Sequence, residues 1–448
     1  MKTYQDWLKY ADKSEQERMD FVRSAINDHK GGKAYREAMA GEAYYAGENL
    51  TIKQFEKWLY NAKGERMPDY VSPNHRIATR FFYRDVTQAN SVLLGNGIKW
   101  KKEGESILGK DFDQRIIDAG LCAMVEGCSF GFFNVDHVEI FELREFVPLF
   151  DEEDGGLKAG IRFWQISDDK PLRATLYELD GYTEYLWEKG NASVMQEKRS
   201  YMLKKNISVA DGEEIYDFQN YPSFPIVPCY ANRLKISELI PIRSTLDAFD
   251  LINSSYSDDV ESGNALFWTV SNAGGMDDVD LVNMMKKIRD LHAFTVDDQA
   301  QIQSHQIEAP YQGREAILDR LEKQLYKDAM ALNTYDLANG AVTATQIQAA
   351  YEPLNEKLDE YEAQLITFIK RLLLIAGEEN DATFDRSMVV NKTEEIQAVV
   401  QSAMYLDQEY VTEKLLSIFG DKDMAEVVKG RMDGENYSRF TGGGKKAE

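Results

Sequence analysis

The sequence predicts an α+β, predominantly helical chain of several parts, and three observations carry that expectation. The first is the stretch from Asn339 to Gly377. There Ile347, Tyr351, Leu354, Leu358, Tyr361, Leu365, Phe368 and Leu372 recur at alternating steps of four and three. That is the seam of one long helix packed against neighbours, and 33 residues at this rise run about 50 Å. The second is a change of hydrophobic period to two between Phe130 and about Ile207, which predicts an antiparallel meander. The third is a short strand–helix–strand pattern placed between two amphipathic helices, Ser237 to about Ser257 and Gly313 to about Leu332.

Taken in order, residues 1 to about 130 read mostly as helix. Glu15 to Asn27 is amphipathic, Lys33 to Ala46 ends at Gly47, and Thr51 to Leu59 reads as a third helix. Asn74 to Leu94 carries Ile77, Phe81, Phe82, Val86, Val92 and Leu93 and stops at Gly95-Asn96-Gly97. Asp113 to Glu126 is closed by Gly127. Strands are expected at Phe130 to Val135, Gly160 to Ile166, Ala174 to Leu179 and Tyr182 to Trp187, with Asp180-Gly181 as a two-residue turn. Tyr221 to Pro228 is a proline-rich connector. Ala265 to Val270 and Ala293 to Val296 are short strands around a helix from Asp277 to Leu291, and Gln301 to Ile307 is a further strand candidate. After the long helix come a strand from Ala382 to Val390 and helices from Thr393 to Leu406 and Thr412 to Phe419. The tail from Gly434 reads as disordered. Pro353, near the start of the long helix, removes a backbone donor and marks a kink and hinge.

Composition narrows function. The formal charge is −24, from 76 acidic and 52 basic residues. A protein that holds nucleic acid by neutralising phosphates needs a basic face, so tight DNA binding is not expected. Three cysteines, Cys122, Cys128 and Cys229, without a C-x-x-C pair, read as reduced thiols. The charged start at Met1-Lys2-Thr3 does not read as a signal peptide, and no apolar run is long enough to span a membrane. The five histidines lack helical metal-ligand spacing, so no metal or other cofactor is expected. Gly104 to Lys110 has the spacing of a phosphate-binding loop, but Asp111 stands where Ser or Thr holds magnesium. Asp151 to Asp154 is a solvated turn, because Arg162 occupies the position where a calcium loop needs a carboxylate. Asp258-Asp259 with Glu261 is a carboxylate cluster without a nucleophile or oxyanion site beside it.

Several stretches are similar to a known family. Ala43-Tyr44-Tyr45-Ala46-Gly47-Glu48 followed by Ile52 resembles an N-terminal helix end of the portal proteins of tailed bacteriophages. Asn74 to Arg80 leading into Val92-Leu93-Leu94-Gly95, and Ile240-Pro241-Ile242 with Asp247 to Ser257, resemble further parts of the same family, over roughly residues 35 to 430.

The resemblance implies a non-enzymatic ring of siphovirus type, usually of twelve subunits. The ring sits at one capsid vertex of the virion, is assembled in the bacterial cytoplasm, and conducts double-stranded DNA during packaging and ejection. It implies a wing over 1–236, a first stem helix over 237–262 and a clip over 263–312. A second stem helix follows over 313–333, then a tunnel loop over 334–346. The long kinked helix and a wing strand take 347–394, a crown 395–432, and the disordered tail 433–448. Asn339, Gly340, Ala341, Val342 and Thr343 then line the DNA channel, an assignment that rests on position. Phe267 and Trp268 face partners at the clip. The implied partners are further copies of the chain, the terminase large subunit, a head-completion or tail adaptor protein, major capsid and scaffolding proteins, and DNA passing without sequence specificity; no membrane is involved. The rival readings are a soluble hydrolase with an acidic pocket and a helical virion scaffold or adaptor.

Overall fold

The computed structural model describes residues 2–419 apart from 61–62, 71, 103–106, 189–190, 208–213, 264–266, 272–278, 280–282, 284–300, 306–310, 336–343 and 388–391; beyond 419 it describes 424 and 428. The polypeptide begins with two helices, α1 (Tyr4–Ala11) and α2 (Glu15–Lys30), each opened by a reciprocal capping box, at Thr3/Asp6 and Ser14/Glu17. Then come α3 (Lys33–Tyr45), α4 (Leu50–Lys53), a hairpin of β1 (Trp58–Tyr60) and β2 (Arg66–Pro68), α5 (Phe81–Leu94), β3 (Ile98–Trp100) and α6 (Phe112–Glu126). The strand-rich part holds β4 (Ser129–Asn134), β5 (His137–Glu142), β6 (Phe146–Phe150), β7 (Leu157–Trp164), β8 (Leu172–Glu178), β9 (Gly181–Glu188) and β10 (Asn191–Arg199). It continues through β11 (Met202–Ile207), β12 (Glu214–Gln219) and β13 (Ile226–Cys229). The rest is α7 (Leu239–Gly263), β14 (Phe267–Ser271), β15 (Gln301–His305), α8 (Tyr311–Asp328), α9 (Ala344–Ala376), β16 (Ala382–Phe384), α10 (Lys392–Ser402) and α11 (Gln408–Phe419).

The expected meander is present from β6 on, as a five-stranded sheet in the order β10-β9-β8-β7-β6, every pair antiparallel, whereas the Phe130 to Val135 strand expected at its start belongs to another sheet. Helices α1 and α2 cover it, packing Trp7, Phe21, Val22 and Ile26 on Val147, Ile161, Leu176 and Trp187. The turn between β8 and β9 falls on Leu179 and Asp180, with Glu178 opposite Gly181 at positive φ. The proline-rich stretch is not a free connector. Ile226 to Cys229 form β13 and pair with β4, in a second sheet ordered β13-β4-β5.

The long helix α9 runs through Pro353. Its seam is buried from Tyr351 to Leu372, but other helices are not its only partners. The seam packs in one core with α5, α6, β4 and β13. Two glycines make room for it. A Cβ on Gly120 of α6 would lie 1.7 Å from the Tyr361 hydroxyl, and one on Gly131 of β4 would lie 2.5 Å from the Phe368 ring. A helix knob therefore enters a hole in a helix and another enters a hole in a sheet.

Two helical expectations and one strand are corrected. Thr51 to Leu59 is helix only to Lys53, and Trp58-Leu59-Tyr60 pair as a strand with Arg66–Pro68, as their aromatic and branched side chains favour. Asn74 to Arg80 is not helical, and α5 starts at Phe81; the cause is given below. The 382–390 strand is seen as Ala382–Phe384, paired with β3; residues 385–387 are irregular, and 388–390 lie outside the described residues.

Candidate functional site

Helices α7 and α8 pack side by side and are joined at one end by the antiparallel pair β14–β15, with Phe267 opposite His305 and Trp268 opposite Ser304. The strand-bearing module between two helices is thus present, and Phe267 and Trp268 lie on its first strand. Their side chains and the 293–296 strand lie outside the described residues, as do Asn339, Gly340, Ala341, Val342 and Thr343; of the 277–291 helix only Val279 and Asn283 are described, both helical. Pro353 is in the third turn of α9 with its side chain exposed.

What the structure does describe is how the end of α8 is held against α5 and the body of α9. Gln88 of α5 grips the backbone of Leu332 twice: Leu332 N donates to Oε1 at 2.9 Å, and Nε2 donates to Leu332 O at 3.1 Å. Lys357 of α9 sits between Asp85 (3.1 Å) and Glu238 (3.3 Å) and donates to the Ala329 carbonyl at 3.0 Å. Side-chain exposure is 8% for Lys357 and 1% for Asp85. Burial alone would lower the Lys357 ammonium, but the two carboxylates, Asp85 foremost, outweigh it and raise it above its ordinary range. One buried ammonium therefore ties α5, α7, α8 and α9 together where α8 ends and the segment leading to α9 begins.

A second polar seam runs along α7. Asp247, Asp250, Ser254 and Asp258 recur at steps of three and four and share one face. Beside them the chain from Tyr44 to Thr79 lays its donors. Tyr44 Oη and Thr51 Oγ1 donate to Asp247, and Asn49 Nδ2 donates to Asp250 at 2.8 Å. The amide of Thr79 donates to Asp250 at 3.1 Å, that of Ile77 to Ser254 at 2.9 Å, and that of His75 to Asp258 at 2.6 Å. The registers match. Four helical residues rise about 6 Å, and two extended residues span about 6.6 Å. Every second amide of an extended 75–79 segment thus meets every fourth side chain of α7. This is why 75–79 is not helical and α5 starts late: these amides are already bonded outside any helix.

Chemistry differs along the seam. Burial raises the Asp250 carboxyl, with Asn49 and Thr79 opposing. Burial also pushes on Asp258, but the His75 amide and then Lys57 outweigh it and hold that carboxyl below its ordinary range. Lys57 Nζ sits 2.6 Å from Asp258 and donates to the Pro73 carbonyl at 2.6 Å. The carboxylate cluster at 258–261 is therefore a docking point: Asp259 pairs with Arg314 of α8, and Glu261 lies 3.4 Å from His75.

The family described as "Phage portal protein, SPP1 Gp6-like" matches residues 134–431. The chain belongs to this phage portal protein family. Among curated relatives, the portal protein of Bacillus phage SPP1 is 21% identical over 403 residues, 81% of this chain and 76% of that protein. The portal protein of Clostridium phage phiCD119 is 25% identical over 200 residues, 42% of this chain and 44% of that protein; this match spans under half of the relative. Among solved structures, a chain of the virion of a native gene transfer agent particle superposes with a TM-score of 0.44 at 11% identity, covering 75% of this chain and 89% of that one. A chain of the neck of the native particle, computed with C12 symmetry, gives 0.40 at 11% identity over 75% and 89%.

The matched span of this portal-family chain takes in β5 to β13, the α7–β14–β15–α8 module and α9. Sequence reading reached the portal family but missed both polar seams. The signal for the α7 seam was present in the 3,4,4 spacing of its polar residues. It has the period of a buried stripe, written in Asp and Ser instead of Leu. Asp85 and Lys357 are 272 positions apart, and no local pattern joins them. Among the described residues no helix is long and apolar enough to cross a membrane, and no group of His, Cys, Asp or Glu is arranged to hold a metal ion.

Proposed function

We propose that this portal-family chain is the subunit of a non-enzymatic ring, of about twelve copies, at one capsid vertex of a phage particle, through which double-stranded DNA passes during packaging and ejection. The observation that carries this reading is the family match over 134–431, which includes the helix–strand-pair–helix module and the long helix with its anchored approach. In this reading the 263–312 segment is the clip. It faces the terminase large subunit during packaging and a tail adaptor afterwards. Residues 1–236 with 377–394 are the wing, contacting capsid and scaffolding proteins, 395–432 are the crown, and 334–346 line the channel. The charge of −24 per subunit repels phosphates from the wall, so DNA meets few sites that hold it. The buried Lys357 cluster and the Gln88–Leu332 bonds hold the end of α8 and the body of α9 on either side of the loop. Pro353, on the exposed side of α9, is the hinge above that anchor.

Negative-stain images and native mass of the purified chain test the ring; a single species of 51.2 kDa at every concentration overturns it. The loop assignment is tested with Ala341→Lys/Val342→Lys. Rings should form normally, and DNA packaging should slow at low salt and recover as salt is added. Loss of rings would place the loop in a subunit interface instead.

A further inference from the structure

Helices α7 and α8 pack side by side, but the core holds only one end of the pair. Leu239, Ile242 and Leu246 of α7 are buried in it and Phe249 packs against it; on α8 the residues that do so are Leu325, Tyr326 and Ala329. Among the described residues, α7 beyond Phe249 and α8 before Leu325 put no side chain into any of the three apolar cores. The end joined by β14 and β15 therefore projects from the body.

Just past the core, α7 is built to bend. Ser255 Oγ donates to the Ile252 carbonyl at 3.1 Å and Ser257 Oγ to the Asn253 carbonyl at 3.1 Å. Side-chain hydroxyls that bond the helix's own carbonyls compete with its backbone ladder and bend helices.

A strap spans this stretch. It has two legs, 48–57 and 72–80, on either side of the β1–β2 hairpin. Asn49 Nδ2 and the Thr79 amide donate to Asp250, the Ile77 amide to Ser254, and Lys57 Nζ and the His75 amide to Asp258. The chain enters the strap from Tyr44 and leaves it into Phe81, both buried in the core. The strap thus runs from the body across residues 252–257 and grips α7 on both sides of them.

Two features make the strap one removable piece. Its legs are tied to each other. Arg76 Nη1 donates to the Lys53 carbonyl at 2.9 Å, Lys57 Nζ to the Pro73 carbonyl at 2.6 Å, and the Asp69 amide to the Lys57 carbonyl at 2.9 Å. It is also fastened by polar bonds rather than by burial. Of the described side chains in the legs, Ile52 is the one apolar group that is buried, with Leu50 and Ile77 half-buried. When the strap lifts, its polar bonds are exchanged for bonds to water, while Leu239, Ile242 and Leu246 stay in the core. Few buried apolar contacts and many polar ones are the make-up of a unit that opens below the global stability.

We infer that the two legs form a brace that lifts from α7 as one unit and, when seated, sets the angle of the projecting α7–α8 end to the body. With the brace lifted, α7 bends between Ile252 and Ser257 and the end tilts. This holds for a single chain and does not depend on the ring.

Native-state hydrogen exchange of the full chain tests the unit. Thr51→Val removes a donor to Asp247 at one end of the strap, on an exposed side chain. The amides of His75, Ile77 and Thr79 should all exchange faster by one common factor, about fivefold for one hydrogen bond. His75 bonds Asp258, about 16 Å along α7 from Asp247. A factor that fades from Thr79 to His75 overturns the single unit, and equal acceleration along α9 would make the opening global and overturn it too. The brace is tested with spin labels at Ala316→Cys on α8 and Ala363→Cys on α9, both exposed, in labelled chains diluted among unlabelled ones and read against a control without the added cysteines. One narrow distance is expected with the natural strap. Lys57→Met, which cuts the tie to Asp258 and Pro73, should broaden it and add a second distance. Faster exchange at 75–79 in Lys57→Met with an unchanged distance distribution overturns the brace, and no change in either overturns the inference as a whole.

Discussion

Two helices of one subunit, α9 and α7, are held in place by opposite chemistry. Along α9 the repeat is apolar: Leu354, Leu358, Tyr361, Leu365, Phe368 and Leu372 are buried among α5, α6, β4 and β13. Along one face of α7 the repeat is polar: Asp247, Asp250, Ser254 and Asp258 receive donors from the chain between Tyr44 and Thr79. The first seam is non-directional, and its strength follows area and fit. The second is directional, and its strength lies in the cost of leaving a buried group unpaired. A polar seam fixes register residue by residue, because a slip of one extended residue turns every donor away. The apolar seam tolerates small shifts. One helix is thus a pillar in the core, and the other is a rail on which the hairpin-bearing segment is set at a defined position.

The comparison is broken most severely where the two helices meet. Lys357→Met leaves Asp85 buried beside Glu238 without its cation, and should cost about 3–5 kcal/mol in a urea titration. A loss under 1 kcal/mol would mean that water reaches the cluster and that the anchor is not a buried one. Within the apolar seam, Leu365→Ala should cost about 2–4 kcal/mol, and Gly131→Ala about 1–3 kcal/mol, because the new methyl meets the Phe368 ring. If Gly131→Ala proves neutral, the close fit of α9 to β4 is wrong.

Asp250→Ala should cost about 1–3 kcal/mol by leaving Thr79 N and Asn49 without their acceptor. Hydrogen exchange should then speed up at residues 75–79 and leave the α9 amides unchanged. Faster exchange along α9 as well would mean that the two seams are one cooperative unit.

The smallest effect distinguishes the seams by pH. The Asp258 carboxyl is held below its ordinary value, so the folded chain releases that proton more readily than the unfolded one. Its contribution is complete above the ordinary carboxylate range, about pH 4, and is lost as pH falls through the folded value. Asp258→Asn should flatten the acid limb of stability against pH, whereas Leu365→Ala should shift the whole curve down without changing its slope. An unchanged acid limb in Asp258→Asn would place that carboxylate's proton equilibrium outside folding.

Residues Ile347 to Leu372 were legible as a helix, because a hydrophobic repeat of four and three has one regular solution and the helix forms where it is written. The meander was legible for the same reason at period two. The Thr51–Leu59 helix was misread because the competing preference of Trp58-Leu59-Tyr60 for a strand wins once Arg66–Pro68 offers a partner. Asn74 to Arg80 was misread because its donors go to side chains about 175 positions away. His29, one of the histidines without ligand spacing, is buried with Nε2 at 2.8 Å from the Leu143 carbonyl; a lone histidine carries no period to show its side. Of the candidate site, the module and the long helix were visible, while the anchor under the loop was not.

By itself the amino-acid sequence determined the long helix and the strands of the meander, that the subunit is acidic, and that it resembles the portal family, because these depend on neighbouring residues and on sums over the chain. Tertiary structure alone decided that Lys357 joins Asp85, that Asp258 moors the hairpin, and that Gly120 and Gly131 are the holes for Tyr361 and Phe368. Each of those depends on two residues distant in sequence arriving within bonding distance, and the free energy of such a contact exists only after the fold has brought them together.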